Sequence, residues 1–170
     1  MLWQLMLSDH NAAHKLEEMA PIALDYLDTN PQGFVLMIEQ ANIDTNCHNN
    51  EFGRAEKCVR ILDRTVDAVT AWAAGRDDTV ILVTADHETG GLSVSDQPEH
   101  RNTHTTDSGA TVYYQYTQTT HSPTPVDLYV WGRDIDFAPY LLEQPGEAYP
   151  DGLIKNISVF QIMLDILQNP

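Results

Sequence analysis

Residues 79–92 read TVILVTADHETGGL. The segment contains a continuous apolar run, Val80–Val83. Asp86 lies two residues after Thr84, and His87 follows it directly. An apolar run without alternating polar residues is typical of a strand buried on both faces, as in a parallel sheet. We therefore expect a buried strand that presents a carboxylate and an imidazole beyond its C-terminal end.

A second run of the same kind lies upstream, at residues 33–38 (GFVLMI), and it ends at Glu39. Between the two runs, apolar residues recur every three or four positions from about Glu51 to Ala74. This spacing predicts a long amphipathic helix, for which Gly75 is a suitable C-terminal stop. A strand, a helix and a strand with a crossover of this length form a βαβ unit, so we expect the two strands to be parallel.

The remaining elements are shorter. Pro21–Asp28 is predicted as a short helix, because proline suits the first helical position. Residues 93–124, rich in Thr, Ser, Asp and His, indicate a long irregular excursion with a β-ribbon near Val112–Tyr116. Val126–Trp131 predicts a third strand. A closing helix is expected over Ile157–Leu167, with an apolar stripe formed by Ile157, Phe160, Met163, Leu164 and Leu167.

The composition points to one acidic globular domain, residues 1–170. The 9 Lys and Arg against 25 Asp and Glu give a net charge of −16, which disfavours nucleic acid and anionic membranes as partners. No apolar run approaches the roughly 20 residues that span a bilayer. Residues 1–7 are apolar, but they are too short and lack the basic flank of a signal peptide. A disulfide between Cys47 and Cys58 is left open, and with it the redox compartment.

Two acidic residues, Glu39 and Asp86, follow the two predicted buried strands. In open parallel sheets, ligands bind beyond the carboxyl ends of the strands, so both side chains are expected to face one crevice. Bare carboxylates buried there would each cost several kcal/mol unless cations or hydrogen-bond donors compensate. The pattern therefore favours a cation site over an unoccupied crevice.

Asp44 and His48 stand four residues apart, so they project to the same side if that stretch is helical. Carboxylate and imidazole are ligands that zinc favours, and oxygen-rich positions suit magnesium. Each candidate alone has an ordinary structural explanation: a helix cap, a hydrogen-bonded turn or a solvated loop. Because these candidates occur together near the ends of two apolar strands, the sequence favours a metal site.

The two segments that carry these residues resemble the metal-binding signatures of alkaline phosphatases. The first is GFVLMIE at residues 33–39, followed by Asp44 and His48, and the second is VTADHETGGL at residues 83–92. The likeness covers most of Leu16–Leu92 and continues to the strand near residue 126. It implies an α/β fold of the alkaline phosphatase type, a partial three-layer α/β/α sandwich with a mostly parallel sheet, forming the C-terminal part of a catalytic domain.

The resemblance also implies a site with two zinc ions and one magnesium ion. Carried over residue by residue, the ligands are Asp44, His48 and His121 for one zinc, Asp86 and His87 for the second zinc, and Glu39 for magnesium. His121 takes the third position because a strand follows it, as it does in the family. His104 is the alternative for that position.

The family's serine nucleophile and phosphate-binding arginine lie upstream of the strand that ends at Glu39. Only 38 residues precede Glu39, which is too few to hold that half of the site. The fragment Thr106-Asp107-Ser108 resembles the nucleophile motif, but it lies on the wrong side of residues 86–87 in a loop rich in these residue types. No catalytic serine is therefore assigned.

The implied activity is metal-dependent hydrolysis of phosphate monoesters at alkaline pH. One alternative is a metal-binding fragment without catalysis. Another is a related superfamily enzyme, such as a cofactor-independent phosphoglycerate mutase, a phosphopentomutase or a nucleotide phosphodiesterase, although the Glu39–Asp44 spacing and the ETGG segment favour the alkaline phosphatase branch. The resemblance further implies phosphate monoester substrates and a periplasmic or secreted location. It also implies a homodimer, since relatives are commonly dimers.

Overall fold

The computed structural model of the 170-residue chain describes residues 3–8, 15–99, 101–144 and 146–169. Its contacts divide the chain into two compact units, residues 1–74 with 87–127 and residues 75–86 with 128–170. Each unit has its own helices and strands. The single domain over residues 1–170 stays a prediction.

The first helix of the first unit, α1, spans Leu16–Leu27 and contains Pro21 in its interior. The predicted start of this helix at Pro21 is therefore wrong by five residues. The apolar side that α1 buries against the helix at residues 52–73 stabilises its first turn, which outweighs the backbone hydrogen bond that an internal proline removes. The buried residues of α1 are Leu16, Ala20, Ala23, Leu24 and Leu27.

The strands β1 (Trp3–Ser8) and β2 (Phe34–Glu39) form a parallel pair, in register from Trp3 opposite Phe34 to Ser8 opposite Glu39. The predicted strand at residues 33–38 is thus confirmed, but its complete burial is not. Met37 is 52% exposed. The other apolar residues of β2 are partly buried.

Two consecutive helices complete the frame of the first unit: α2 (Asn42–His48) and α3 (Phe52–Ala73). The predicted helix over Glu51–Ala74 is confirmed to within one residue at each end. Gly75 follows with φ +81°, the left-handed conformation that commonly terminates a helix. Within the described ranges, no helix combines the length and the apolar character that a bilayer crossing requires.

Polar contacts join α1 to α3 beside the apolar ones. Arg64 Nε donates to Glu17 Oε1 over 3.0 Å, and Trp72 Nε1 donates to Asp25 Oδ1 over 3.1 Å. Burial alone would raise the pKa of the Glu17 carboxyl, but hydrogen bonds from the backbone and from Arg64 hold that pKa below its ordinary value. The ionised form of Glu17 is therefore the one that binds α3.

The excursion over residues 93–124 is more ordered than the sequence indicates. Its strands β5 (Ser93–Ser95), β6 (Asn102–Thr105) and β7 (Thr111–Gln115) form an antiparallel sheet in the order β5-β7-β6, with β7 at the predicted ribbon. A two-stranded ladder joins β4 (Glu88–Thr89) to β8 (His121–Ser122). Backbone pairing supplies this order, through a hairpin between β6 and β7 and through longer connections in the other pairs, and composition carries no signal for it.

A hairpin turn between β6 and β7 contains residues 106–108. Thr106 N donates to the Ala110 carbonyl over 2.9 Å, and the hydroxyls of Thr106 and Ser108 lie 2.9 Å apart. Thr106-Asp107-Ser108 therefore has a structural explanation as a turn.

The second unit pairs β3 (Val80–Thr84) with β9 (Leu128–Gly132) in an antiparallel ladder from Val80 opposite Gly132 to Thr84 opposite Leu128. Both predicted strands exist, with the later one starting two residues beyond its predicted position. Of the strand pairs described, β1–β2 alone is parallel. The mostly parallel sheet that the resemblance implies is not confirmed.

The rest of the second unit comprises a 3-10 helix at Ala138–Tyr140, the antiparallel strands β10 (Leu141–Glu143) and β11 (Leu153–Ile154), and the helix α4 (Asn156–Gln168). The helix lies where the sequence predicts it, but its apolar stripe is mostly exposed. Ile162 and Ser158 are the buried residues of α4. Four members of the stripe are exposed instead: Ile157, Phe160, Leu164 and Leu167.

Candidate metal centre

Three elements of the first unit bring metal-ligand side chains together. The helix α2 carries Asp44 and His48 one turn apart, as their spacing predicts. His87 directly precedes β4, and His121 opens β8. Because Thr89 of β4 pairs with His121 of β8, the ladder places the two imidazoles side by side.

The distances between these side chains suit a metal ion. His48 Nε2 lies 3.0 Å from His121 Nε2 and 3.4 Å from Asp44 Oδ2, while His121 Nε2 lies 3.5 Å from Asp44 Oδ1. Two ligand atoms that bind one tetrahedral zinc at the usual bond length are separated by about 3.3 Å. The three side chains therefore have the spacing of zinc ligands.

His87 lies against this group. Its ring stacks on that of His121 with a centroid distance of 3.5 Å and an interplanar angle of 22°. Ligand atoms of Asp44, His87 and His121 all lie within 4.8 Å of one another. The side chain of His121 is 47% exposed, so the group is open to solvent and to a small ligand.

A backbone carbonyl sets the tautomer of His48. Its Nδ1 lies 2.6 Å from the carbonyl oxygen of Thr119. Since a carbonyl accepts hydrogen bonds and donates none, Nδ1 carries a hydrogen, and in the neutral imidazole the lone pair is then on Nε2. That lone pair faces the carboxylate of Asp44 and the ring of His121, an arrangement that a cation stabilises.

Glu88 braces the ladder that holds His87 and His121. Its carboxylate accepts hydrogen bonds from the hydroxyl of Ser122 and from the backbone N–H groups of Gly91 and Leu92. Partial burial alone would raise the pKa of Glu88, but these hydrogen bonds outweigh it and hold the pKa below its ordinary value. The ionised carboxylate thus fixes β4 to β8.

The glycine pair after Thr89 lets the chain turn tightly beneath the centre. Gly90 has φ +90° and Gly91 has φ +56°. Gly90 N donates to the Thr120 carbonyl over 3.0 Å, and its carbonyl accepts from the N–H groups of Thr117 and Gln118. The turn therefore ties β4 to the segment that leads into His121.

Replacing Gly90 by alanine is expected to lower the free energy of unfolding by about 3 kcal/mol. About 1 kcal/mol comes from the left-handed backbone and about 2 kcal/mol from overlap, because a Cβ would lie 2.6 Å from Tyr116 Cδ1 and 3.1 Å from the Cys47 carbonyl. Gly109→Ala is the control, since its φ is +83° and a Cβ there meets nothing within 4 Å. Urea unfolding that shows equal losses for both variants would contradict the close contact.

The structure separates the two candidates for the third ligand of the first zinc. His104 lies on β6, where its ring contacts Phe52 edge-on at 5.3 Å and its Nε2 is 3.6 Å from Glu56 Oε2. His121 lies beside His48. Of the two candidates, His121 is the one near His48 and Asp44, and its role as the third ligand stays a prediction.

Two predicted ligands lie outside the group. Glu39 is the last residue of β2 and is exposed. Asp86 belongs to the second unit, where it follows β3 and is exposed. Their roles in the site stay predictions.

Cys47 is buried beside His48 along α2, with 6% of its surface exposed and its Sγ 3.8 Å from the Tyr116 hydroxyl. Burial raises the pKa of this thiol. A protonated thiol is a poor metal ligand, so Cys47 is a structural neighbour of the centre. Among the described residues, neither Cys47 nor Cys58 forms a disulfide.

The sequence reasoning missed the groups that orient the ligands, namely Glu88, Thr89, Ser122 and the carbonyl of Thr119. Glu88 and Thr89 lie in the segment TADHETGG, which is quoted above for its Asp and His. The available signal was their position directly after His87. Ser122 and Thr119 flank His121 and carry no comparable signal.

Comparison with known proteins identifies the family. The profile of the family described as alkaline phosphatase matches residues 4–133, about three-quarters of the chain. The chain therefore belongs to the alkaline phosphatase family, which confirms the resemblance seen in its two signatures.

Curated relatives agree. Alkaline phosphatase 4 of Bacillus subtilis is 34% identical over 79 residues, which cover 46% of this chain and 17% of that protein. The repressible alkaline phosphatase of Saccharomyces cerevisiae is 34% identical over 96 residues, covering 52% of this chain and 17% of its own length. The matches thus span about a sixth of these relatives.

Solved structures confirm the α/β fold of the alkaline phosphatase type. The enzyme from the Antarctic bacterium TAB5 aligns with a TM-score of 0.68 at 20% identity, covering 92% of this chain and 41% of that chain. The cold-active alkaline phosphatase of a psychrophilic Shewanella aligns equally well, with 94% of this chain and 52% of that chain covered. The chain therefore spans about half the length of these structures.

Proposed function

We propose that this chain supplies the metal-binding part of a site that hydrolyses phosphate monoesters. One observation carries the proposal: the donor atoms of Asp44, His48 and His121 are spaced 3.0–3.5 Å apart, as the ligands of one zinc would be. Family membership supports the reaction class. It also implies phosphate ester substrates and metal cofactors.

The finer proposal is a centre with two zinc ions and one magnesium ion. Asp44, His48 and His121 would hold the first zinc, Asp86 and His87 the second, and Glu39 the magnesium. In support, His87 lies against His121, and one solved TAB5 variant has Mg bound in its M3 site. When bound, zinc lowers the pKa of an attacking oxygen and neutralises the charge that develops on the phosphoryl group.

The chain's own residues prepare the centre for this chemistry. The Thr119 carbonyl holds His48 with its Nε2 lone pair toward the centre. Glu88 fixes the ladder that sets His87 against His121. The chain carries a net charge of −16, so an anionic phosphate ester is repelled by the surface unless cations reverse the local field.

The test combines metal binding with turnover. The chelator-treated chain is titrated with zinc and magnesium, the bound metal is measured by elemental analysis, and p-nitrophenyl phosphate hydrolysis is followed at alkaline pH. Zinc binding by the chain is the expected result, and hydrolysis that a chelator abolishes is expected once the half of the site that carries the serine is also present. A chain that binds no zinc would show that the proposal is wrong.

A second candidate is a metal-binding fragment without catalysis. The observation that favours it is that Thr106-Asp107-Ser108, the fragment that resembles the nucleophile motif, forms a hairpin turn. This candidate predicts zinc in the elemental analysis and hydrolysis that stays at background. The same experiment therefore separates the two candidates.

Three further proposals rest on the family alone. The chain is the C-terminal part of an alkaline phosphatase-like catalytic domain, counted as one domain over residues 1–170. The whole protein is a homodimer, and it is periplasmic or secreted. Sedimentation of the purified protein and fractionation of the source cells would test the last two.

A further inference from the structure

The buried hydroxyl of Thr89 lies between two candidate ligands that come from different elements. Its Oγ1 is 2.6 Å from Asp44 Oδ1 and 3.2 Å from His87 Nδ1. Asp44 is on α2, while His87 and Thr89 belong to the β4 segment. Thr89 is 8% exposed, so its own hydroxyl is largely shielded from water.

The direction of each hydrogen bond follows from the number of hydrogens. An ionised carboxylate only accepts, so the single hydroxyl hydrogen of Thr89 is donated to Asp44. The Thr89 oxygen then accepts from His87, which places a hydrogen on Nδ1. His87 Nε2 is thereby left with its lone pair, the form in which an imidazole binds a metal.

We propose that Thr89 is a positioning residue that orients Asp44 and His87 at the same time and so couples the two zinc-ligand sets. The proposal rests on the proposed function of the metal centre. The relay runs from His87 Nδ1–H to Thr89 Oγ1 and from the Thr89 hydroxyl to Asp44 Oδ1. It leaves Asp44 Oδ2, which lies 3.4 Å from His48 Nε2, available for the first zinc.

The backbone of Thr89 adds a third connection. Thr89 pairs with His121 across the β4–β8 ladder, so one residue contacts the strand of one ligand and the side chains of two others. Removing its hydroxyl would free Asp44 and His87 to rotate while leaving that ladder in place. Groups that orient a metal ligand in this way typically contribute 10- to 100-fold to metal affinity.

The experiment uses Thr89→Val, which keeps the shape and removes the hydroxyl, and Thr89→Ser, which keeps the hydroxyl. Thr65→Val is the matched control, because Thr65 is also a buried threonine of the first unit and its hydroxyl donates to the carbonyl of Ile61 in its own helix. Zinc affinity is measured by competition with a chromophoric chelator. The tautomer of His87 is read from ¹⁵N chemical shifts of the metal-free chain at alkaline pH.

For Thr89→Val we expect a loss of zinc affinity of about 10-fold or more, together with loss of the Nδ1–H tautomer preference of His87. Thr89→Ser should restore both properties, and Thr65→Val should leave both unchanged. A Thr89→Val variant that keeps the tautomer preference, or one that binds zinc as tightly as the parent chain, would overturn the inference. The tautomer measurement needs no metal. If the chain binds no zinc, the proposed function is wrong, and the tautomer of His87 in Thr89→Val then decides whether Thr89 orients that ring.

Discussion

Replacing His121 by alanine is expected to weaken binding of the first zinc by more than about 100-fold. Groups that only orient a ligand contribute about 10- to 100-fold, and the proposed centre uses His121 as a ligand itself. Its Nε2 lies 3.0 Å from that of His48 and 3.5 Å from Asp44 Oδ1. The variant would leave Asp44 and His48 as the two remaining ligands of this ion. Competition with a chromophoric chelator measures the change.

His104→Ala is the matched control, because His104 was the alternative third ligand. Its ring contacts Phe52 and its Nε2 faces Glu56, so its loss should leave zinc affinity within about 2-fold of the parent chain. A large loss for His104→Ala with little change for His121→Ala would reverse the assignment. Circular dichroism of both variants would show whether either change comes from unfolding.

The elements that the sequence predicts well are those with a strong local pattern. The helix α3 follows from apolar residues at three- and four-residue intervals and from a glycine at its end, both of which act within a few residues. The strands β2 and β3 follow from continuous apolar runs. In each case the structure shifts a predicted boundary by two residues or fewer.

What local patterns do not predict is which face of a helix is buried and which strands pair, because both depend on contacts between elements distant in the sequence. The apolar stripe of α4 has helical spacing, but Ile157 and Phe160 are 64% and 65% exposed, while Ile162 is fully buried. Periodicity identifies the amphipathic helix, and it leaves open which side a neighbouring element covers. The pairing of β3 with β9 joins segments more than 40 residues apart, and no local pattern encodes such a choice.

The residues of the candidate site also differ in whether a local sequence pattern predicts them. Asp44 and His48 could be paired from their spacing alone, since residues four apart share a helix face. His121 is 73 residues from His48 in the chain, so spacing cannot connect them and the family resemblance was needed. Thr89 and Glu88 act through hydrogen bonds whose partners are set by the β4–β8 register, which is a property of the folded chain.

Replacing Asp86 by asparagine is expected to abolish the weaker of two zinc-binding steps and to leave the tighter step within about 2-fold. The tighter step belongs to the ion that Asp44, His48 and His121 would hold, because three protein ligands are assigned to it. Asp86 and His87 are the two assigned to the other ion. A neutral amide replaces a carboxylate in the variant, and zinc is bound in proteins by thiolate, imidazole and carboxylate groups. Calorimetric titration of the chelator-treated chain resolves the two steps.

The control is Asp77→Asn, which removes the same charge from an exposed residue of the second unit. Since Asp77 precedes β3 and Asp86 follows it, the two positions lie at opposite ends of one strand. A general electrostatic effect would weaken zinc binding equally in both variants, because each lowers the negative charge of the chain by one. A specific ligand role requires that Asp86→Asn alone loses the weaker step. A parent chain with a single binding step, or an Asp86→Asn variant that keeps both steps, would rule out the assignment of Asp86 to a second zinc.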